Sequence, residues 1–241
     1  MIVLFTDFGL RGPYVGQMKA VLLRAAPAVP VVDLMHDAPA FDAQSSAYLL
    51  AALVDAFPAG AVFLCVVDPG VGSPGRRPLI LRAGEHWFVG PDNGLFELVA
   101  RHQTAAVEWR EILWRPQTLS ASFHGRDLFA PVAAALACGE TPHSTQLVRE
   151  PVDDWPEDLP HIIYLDNFGN AMTGLRARRL SVDARLQVGG QILLRAHTFS
   201  DVPPGQGFWY ENANGLAEIA VNQGHAASVL GLSLRQPVRV I

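Results

Sequence analysis

Between Met1 and Gly139, short apolar runs alternate with amphipathic helical stretches, and no other feature of the chain restricts its fold as strongly. Ile2–Phe5 reads as a buried strand. Tyr14–Ala26 carries apolar Val15, Met18, Val21 and Leu22 at helical spacing and stops before Pro27. Val29–Leu34 reads as a strand, Asp42–Phe57 as a helix with Asp42 as N-cap and Pro58 as stop, and Val62–Val67 as a β-branched strand. Leu79–Ala83 and His86–Val89 read as a hairpin around Gly84, followed by helices over Gly94–Arg101 and Arg126–Cys138. Strand and helix alternating at this length predict an α/β layer architecture with a mainly parallel sheet.

The pattern changes after residue 149. Residues 150–160 (EPVDDWPEDLP) are rich in proline and acid, lack a helical period and read as a linker. Short strands broken by glycine and proline turns follow: His161–Leu165, Leu186–Val188, Gln191–Arg195, Leu216–Val221, Ala227–Val229 and Pro237–Val240. The expectation is a domain over 1–149 and a small all-β domain, a barrel, over 161–241. A barrel of about 80 residues is marginal alone and gains from a neighbouring surface.

Composition narrows the function. Half of the 241 residues are hydrophobic, 17% are charged and the net charge is −5, which excludes a disordered chain. The acidic balance argues against a nucleic-acid surface, which shows a basic stripe. The longest apolar stretches are interrupted, Ala47–Val54 by Tyr48 and Phe129–Cys138 by Pro131, so no membrane span is expected. No basic segment precedes Ile2–Phe5, so no signal peptide is expected. Two cysteines, Cys65 and Cys138, make neither a disulfide framework nor a cysteine-rich metal site, and a reducing cytoplasm is the expected setting.

Polar residues and glycines gather where strands end. Thr6-Asp7-Phe8-Gly9 follows the first strand, at the edge where open α/β sheets bind ligands. A carboxylate there can accept hydrogen bonds from a ribose diol, or simply cap the next turn. Asp68-Pro69-Gly70-Val71-Gly72-Ser73-Pro74-Gly75-Arg76-Arg77 sets an acid, a glycine-rich loop and two arginines after a buried strand. It matches neither a P-loop nor a dinucleotide fingerprint. Ser122-Phe123-His124-Gly125-Arg126-Asp127 opens a helix and carries a histidine, the side chain suited to proton exchange near neutral pH. Asp68, Arg76 or Arg77, and His124 form a candidate polar triad. Asp166-Asn167-Phe168-Gly169-Asn170 pairs an aromatic with an amide, fit to clamp adenine or to form a plain β-turn. Asn212-Ala213-Asn214-Gly215 reads equally as a hairpin turn. There is no Gly-x-Ser-x-Gly elbow and no His-x-x-x-His or Cys-x-x-Cys pair, so no metal is expected and the nucleophile is expected to be water or another small species.

In order along the chain, TDFG, VVDPGVGS with Arg76-Arg77, PDNGL, FHGRDLFAP, DNFGN and Asn-x-x-Gly-x-x-Glu-Ile-Ala resemble the S-adenosyl-L-methionine (SAM) hydroxide adenosyltransferases, relatives of fluorinase and chlorinase. The resemblance covers nearly the whole length. It implies an N-terminal α/β/α sandwich, a C-terminal β-barrel and a homotrimer, with SAM between the N-domain of one subunit and the C-domain of the next. It implies that water attacks C5′ of SAM to give adenosine and L-methionine, with SAM as substrate and no cofactor. The family's Asp-Arg-His set maps onto Asp68, Arg76 and His124. Asp7 would hold the ribose hydroxyls, Phe41 would pack beside the nucleoside, Phe168 and Asn170 would hold adenine, and Asp166 would meet the methionine ammonium. Asn214 falls where fluorinase-like relatives have an arginine, so only its location carries over. The loop at Ser73-Pro74-Gly75 is one residue longer than the usual pattern, which leaves Arg76 and Arg77 both open. Asn212-Ala213-Asn214 replaces a frequent Asn-Ser, so a serine contact to the methionine end is lost or replaced.

The chemistry expected of such a site is simple. The sulfonium carbon is activated and its leaving thioether is neutral, so the site must align one water and strip away the rest. A carboxylate beside arginine is expected to have a lowered pKa and to orient that water as an acceptor. Either His124 or Asp68 takes the proton. The alternatives are a halogenase, disfavoured by a carboxylate at 68 where halide-using relatives have tyrosine, and a non-catalytic binder of SAM or adenosine.

Overall fold

The structure, a computed structural model, describes residues 1–104, 106–152 and 154–241. It divides into two compact units, Met1–Val152 and Asp153–Ile241. Asp153, within the expected linker, lies outside the described residues.

The first unit runs β1 (Ile2–Thr6), α1 (Tyr14–Ala25), β2 (Val31–Met35), α2 (Ala43–Leu53), β3 (Val62–Val66), β4 (Pro78–Ala83), β5 (His86–Pro91), α3 (Glu97–Arg101), β6 (Glu108–Ile112), α4 (Ala130–Ala137) and β7 (Ser144–Gln146). Its seven-stranded sheet has the order β2-β1-β3-β5-β4-β6-β7. The β2-β1-β3-β5 half is parallel, and β4, β6 and β7 extend it by antiparallel pairs. Five of the seven strands therefore point the same way, as a mainly parallel sheet requires.

Period-two alternation sorts the strand side chains between two faces. Ile2, Leu4, Val62, Leu64 and Val66 pack with Met18 and Leu22 of α1 and with Val132 and Ala133 of α4. The intervening Phe63 stacks on Phe88 at 4.9 Å, and Phe88 leans on Phe96 beside α3. The Asp42 carboxylate accepts from the Ser45 backbone N–H at 3.1 Å and caps α2, an interaction worth about 1 kcal/mol. The expected helix over Arg126–Cys138 begins as a π-helical turn, Gly125–Phe129, before the regular α4. Such turns recur at functional sites.

The second unit contains β8 (Leu159–Leu165), β9 (Ala171–Arg176), β10 (Leu186–Val188), β11 (Gln191–Leu193), β12 (Gly207–Glu211), β13 (Leu216–Val221), the helical turn α5 (Ala226–Val229) and β14 (Arg239–Val240). Two antiparallel sheets form, β12-β13-β9-β8 and β11-β10-β14. Isolated bridges His161↔Pro237 and Arg195↔Trp209 join them at both margins, which closes the strands into a barrel-like ring. Trp209 is fully buried in its core and donates to the Ala184 carbonyl at 3.1 Å.

Two expectations change here. Ala227–Val229 is a helical turn, because His225 caps it by accepting the Ser228 N–H at 3.2 Å. The expected linker already pairs at its end: β8 starts at Leu159, and Asp158 binds the Arg176 guanidinium at 2.8 Å.

Candidate active site

In the order β2-β1-β3, the chain leaves β1 in one direction and returns to its other side, so the C-terminal ends of β1 and β3 flank the topological switch point of the sheet. Thr6 and Val66 pair there. Asp7 and the Asp68 loop follow directly.

The Asp7 turn is held from β2: the Ala38 N–H donates to the Thr6 carbonyl at 3.1 Å, and the Thr6 hydroxyl bonds His36 Nδ1 at 2.8 Å. The Asp7 carboxylate accepts the Phe41 backbone N–H at 3.2 Å. Burial raises its pKa, and the Phe41 bond only partly offsets this. Phe41 is 79% exposed.

Asp68, Arg76 and His124 come together. Arg76 Nη2 lies 3.0 Å from Asp68 Oδ2 and 2.7 Å from His124 Nδ1, and its guanidinium sits 5.6 Å from the Phe129 ring centroid. Both members of the ion pair are buried, with side-chain exposures of 8% and 5%. Arg77 turns away to Asp92, at 2.8 Å. The arginine beside Asp68 and His124 is therefore Arg76.

The electrostatics correct one expectation. The Asp68 pKa is raised, because burial outweighs the Arg76 charge and the Gly70 backbone N–H, and nearby Asp7 adds repulsion. The His124 pKa is lowered by burial and by Arg76. The Asp68 carboxylate has the Arg76 guanidinium and the Gly70 backbone N–H beside it, whereas Arg76 Nε and Nη1 are buried without a hydrogen-bond partner among the described residues. Such groups are costly to bury without partners, which marks a place where a polar ligand belongs.

The second unit holds a cavity of about 680 Å³ lined by Asp166, Phe168, Asn170, Phe199, Tyr210, Glu218, Gln223 and His225, among others. Asp166 organises its rim by accepting the backbone N–H groups of Phe168 and Asn170 at 2.9 and 2.8 Å and the Asn170 amide at 3.0 Å. The β-turn reading of this segment thus holds alongside its place on the cavity. Asn214 is not among the lining residues. Its backbone N–H closes a turn on Asn212 Oδ1 at 3.0 Å.

Sequence reasoning gave no role to Tyr210 or Glu218. Glu218 is buried and accepts from the Tyr210 hydroxyl at 2.5 Å and the Asn212 amide at 2.8 Å. Burial and the proximity of Asp166 raise its pKa despite these bonds. The Glu-Ile-Ala stretch was a visible signal for Glu218; Tyr210 sits in a strand with no such mark. Among the described residues, no three His, Cys, Asp or Glu side chains are grouped to hold a metal ion.

Comparison with known proteins identifies the family. Residues 2–146 match the SAM hydroxide adenosyltransferase N-terminal domain, and residues 160–239 match the corresponding C-terminal domain. A Thermus thermophilus (R)-S-adenosyl-L-methionine hydrolase is 40% identical, with 100% of this chain and 99% of the relative covered. A Salinispora tropica protein of the same name is also 40% identical, over 98% of this chain and 95% of its own length. A Nocardia brasiliensis fluorinase is more distant, at 24% identity over 58% of this chain and 54% of the relative. A solved Thermotoga maritima conserved protein superposes with a TM-score of 0.90 at 32% identity, covering both chains in full. The chain belongs to the SAM hydroxide adenosyltransferase family.

Proposed function

We propose that this enzyme hydrolyses SAM by directing water onto C5′, and that the (R)-sulfonium form named for its relatives is the preferred substrate. The observation that carries this reading is the buried Asp68–Arg76–His124 chain at the sheet's switch point, in which Arg76 Nε and Nη1 have no hydrogen-bond partner among the described residues. Asp7 would hold the ribose hydroxyls and Phe41 would cover the nucleoside. Phe168 and Asn170 would hold adenine on the cavity of the second unit, and Asp166 would face the methionine ammonium. Asn214 would act only by shaping the adjoining turn.

In the displacement, a water oxygen forms a bond to C5′ while the C5′–S bond breaks and its electron pair passes to sulfur. The products are adenosine and neutral L-methionine, so no general acid is required. Water has a pKa of about 15.7, so it is not deprotonated in advance, and its proton leaves as the C–O bond forms. Asp68 is the better acceptor. A guanidinium has only donors, so His124 Nδ1 spends its lone pair on Arg76 and its ring proton sits on Nε2. A carboxylate with a raised pKa is a stronger base than an ordinary one.

We also propose that the enzyme works as a homotrimer in a reducing cytoplasm. Leu10, Phe41 and Phe168 are 83%, 79% and 73% exposed in the single chain, which supports a covering surface. Both cysteines are free thiols, which suits that compartment, and no helix among the described residues is long and apolar enough to cross a membrane.

Incubation of each SAM epimer in oxygen-18 water, with products separated by chromatography, tests the reading. The expected outcome is adenosine labelled at the 5′ oxygen together with unlabelled methionine. Unchanged SAM would favour a binding protein, and a chloride-dependent 5′-chloro product would favour a halogenase.

A further inference from the structure

Asp68 and Arg76 stand at the two ends of one loop. Its backbone bonds are internal, Val71 N–H to Asp68, Ser73 N–H to Gly70 and Arg76 N–H to Ser73, and Gly72 and Gly75 take φ of +78° and +90°. The strands it connects, β3 and β4, are not neighbours. β5 lies between them, so the loop crosses over the C-terminal end of β5. The two residues that follow β5 are Asp92 and Asn93.

These two residues reach in opposite directions. Asn93 Nδ2 donates to the Val67 carbonyl at 2.7 Å, one residue before Asp68. The Asp92 N–H donates to the Arg77 carbonyl at 2.9 Å, one residue after Arg76, and its Oδ2 accepts Arg77 Nε and Nη2 at 3.0 and 2.8 Å. Each is itself fixed. Asn93 Oδ1 accepts the Leu95 N–H at 3.2 Å. Asp92 Oδ1 accepts Arg149 Nε at 2.9 Å, and Arg149 is held by Glu97 at 2.6 Å and lies 4.8 Å over the Trp109 ring.

We propose that Asn93 and Asp92 are positioning residues that clamp both ends of this loop and so set the Asp68–Arg76 separation, with Arg149 as the anchor of Asp92. Asp92 has a second effect. It draws the Arg77 guanidinium away, which leaves Arg76 as the sole arginine partner of Asp68 among the described residues. The inference rests on the hydrolytic reading for its kinetic consequence, but its structural content stands apart from that reading.

The test uses the full-length enzyme with Asn93→Ala and Asp92→Asn, and Arg149→Met as a variant remote from the loop. The readouts are kcat and KM for SAM, the SAM dissociation constant by calorimetry, the melting temperature, and hydrogen exchange of peptides spanning 67–77. The expected result is a fall in kcat of at least about tenfold, as small misplacements of reacting groups produce. KM and the dissociation constant should stay within about threefold, since the binding groups are untouched. Exchange should quicken over 67–77 while the rest of the first unit stays protected. A folded variant with normal kcat and unchanged loop exchange overturns the proposal, and so does a loss confined to KM. If the wild-type enzyme leaves SAM intact, the hydrolytic reading fails, and loop exchange alone then decides the clamp.

Discussion

Arg76 Nη2 lies 2.7 Å from His124 Nδ1, and this contact assigns the roles of both neighbours of the arginine. A guanidinium cannot accept, so the imidazole is neutral with its proton on Nε2, and the Arg76 charge and burial together keep its pKa low. On the proposed mechanism the histidine holds the arginine and Asp68 takes the proton.

The pH profile follows. On the proposed mechanism Asp68 must be ionised to take the water proton, and burial raises its pKa in the free enzyme, so kcat/KM should fall on the acid side at a higher pH than an ordinary aspartate would give. Burial raises the Asp7 pKa too; if Asp7 holds the ribose as proposed, its protonation should appear in KM and leave kcat unchanged. His124→Asn, whose amide oxygen can still face Arg76, should lower kcat by roughly tenfold and leave the acid limb in place. Steady-state kinetics of both proteins across pH check this. An acid limb that vanishes with the histidine would return the base role to His124.

Ionised Asp68 costs the fold stability even with Arg76 beside it. Its folded pKa lies above 3.8, so the group's stabilising contribution is complete below that value and is lost as pH rises through the folded pKa. Asparagine copies the neutral form at every pH. Asp68→Asn should therefore melt higher than the wild type at neutral pH, the two should converge in acid, and kcat should drop about 10²–10⁴-fold. Calorimetric melts at both pH values, with activity assays, decide it; an Asn variant less stable at neutral pH counts against a raised Asp68 pKa.

In the second unit, Gly169 has φ +80°, and a Cβ there would lie 2.2–2.4 Å from the His225 ring. That ring cannot easily yield, since His225 Nδ1 caps α5 through the Ser228 N–H and contacts the Ser228 hydroxyl at 3.0 Å. Gly169→Ala should cost about 2–4 kcal/mol, strain plus overpacking, and loosen the cavity rim formed by Phe168 and Asn170. Gly205→Ala is the control, with φ +81° and open space around it, and should cost only about 1 kcal/mol. Equal melting temperatures for the two variants would dismiss the His225 contact.

The sequence was most legible where one local rule sufficed. The apolar runs of β1 and β3 announced buried strands, Asp42 announced a cap, and glycine density after β3 announced a shaped loop. What it hid depended on partners distant in sequence. The choice of Arg76 over Arg77 is made by Asp92, whose place beside the loop follows only from β5 lying between β3 and β4. The direction of the Asp68 pKa was misread because its depth of burial is set by the whole sheet edge. Ala227–Val229 was misread as a strand because its apolar content suits either state, and the His225 cap decides. Tyr210 and Glu218 meet only across the β12–β13 register.

Phe41 joins backbone strain to the site. Its φ is +59°, a left-handed value that costs a non-glycine residue about 1–2 kcal/mol. The strained backbone points its N–H at Asp7, and the residue is exposed. Phe41→Gly relieves the strain and removes the ring; Phe41→Ala removes the ring and keeps the strain. Both should weaken SAM binding by roughly tenfold if the ring covers the nucleoside. The glycine variant should be the more stable of the two by about 1 kcal/mol, because only it adopts φ near +60° freely. Melting curves and SAM calorimetry on the pair separate the two effects. Equal stability would mean that the turn relaxes without cost, and undiminished affinity would mean that Phe41 serves Asp7 through its backbone alone.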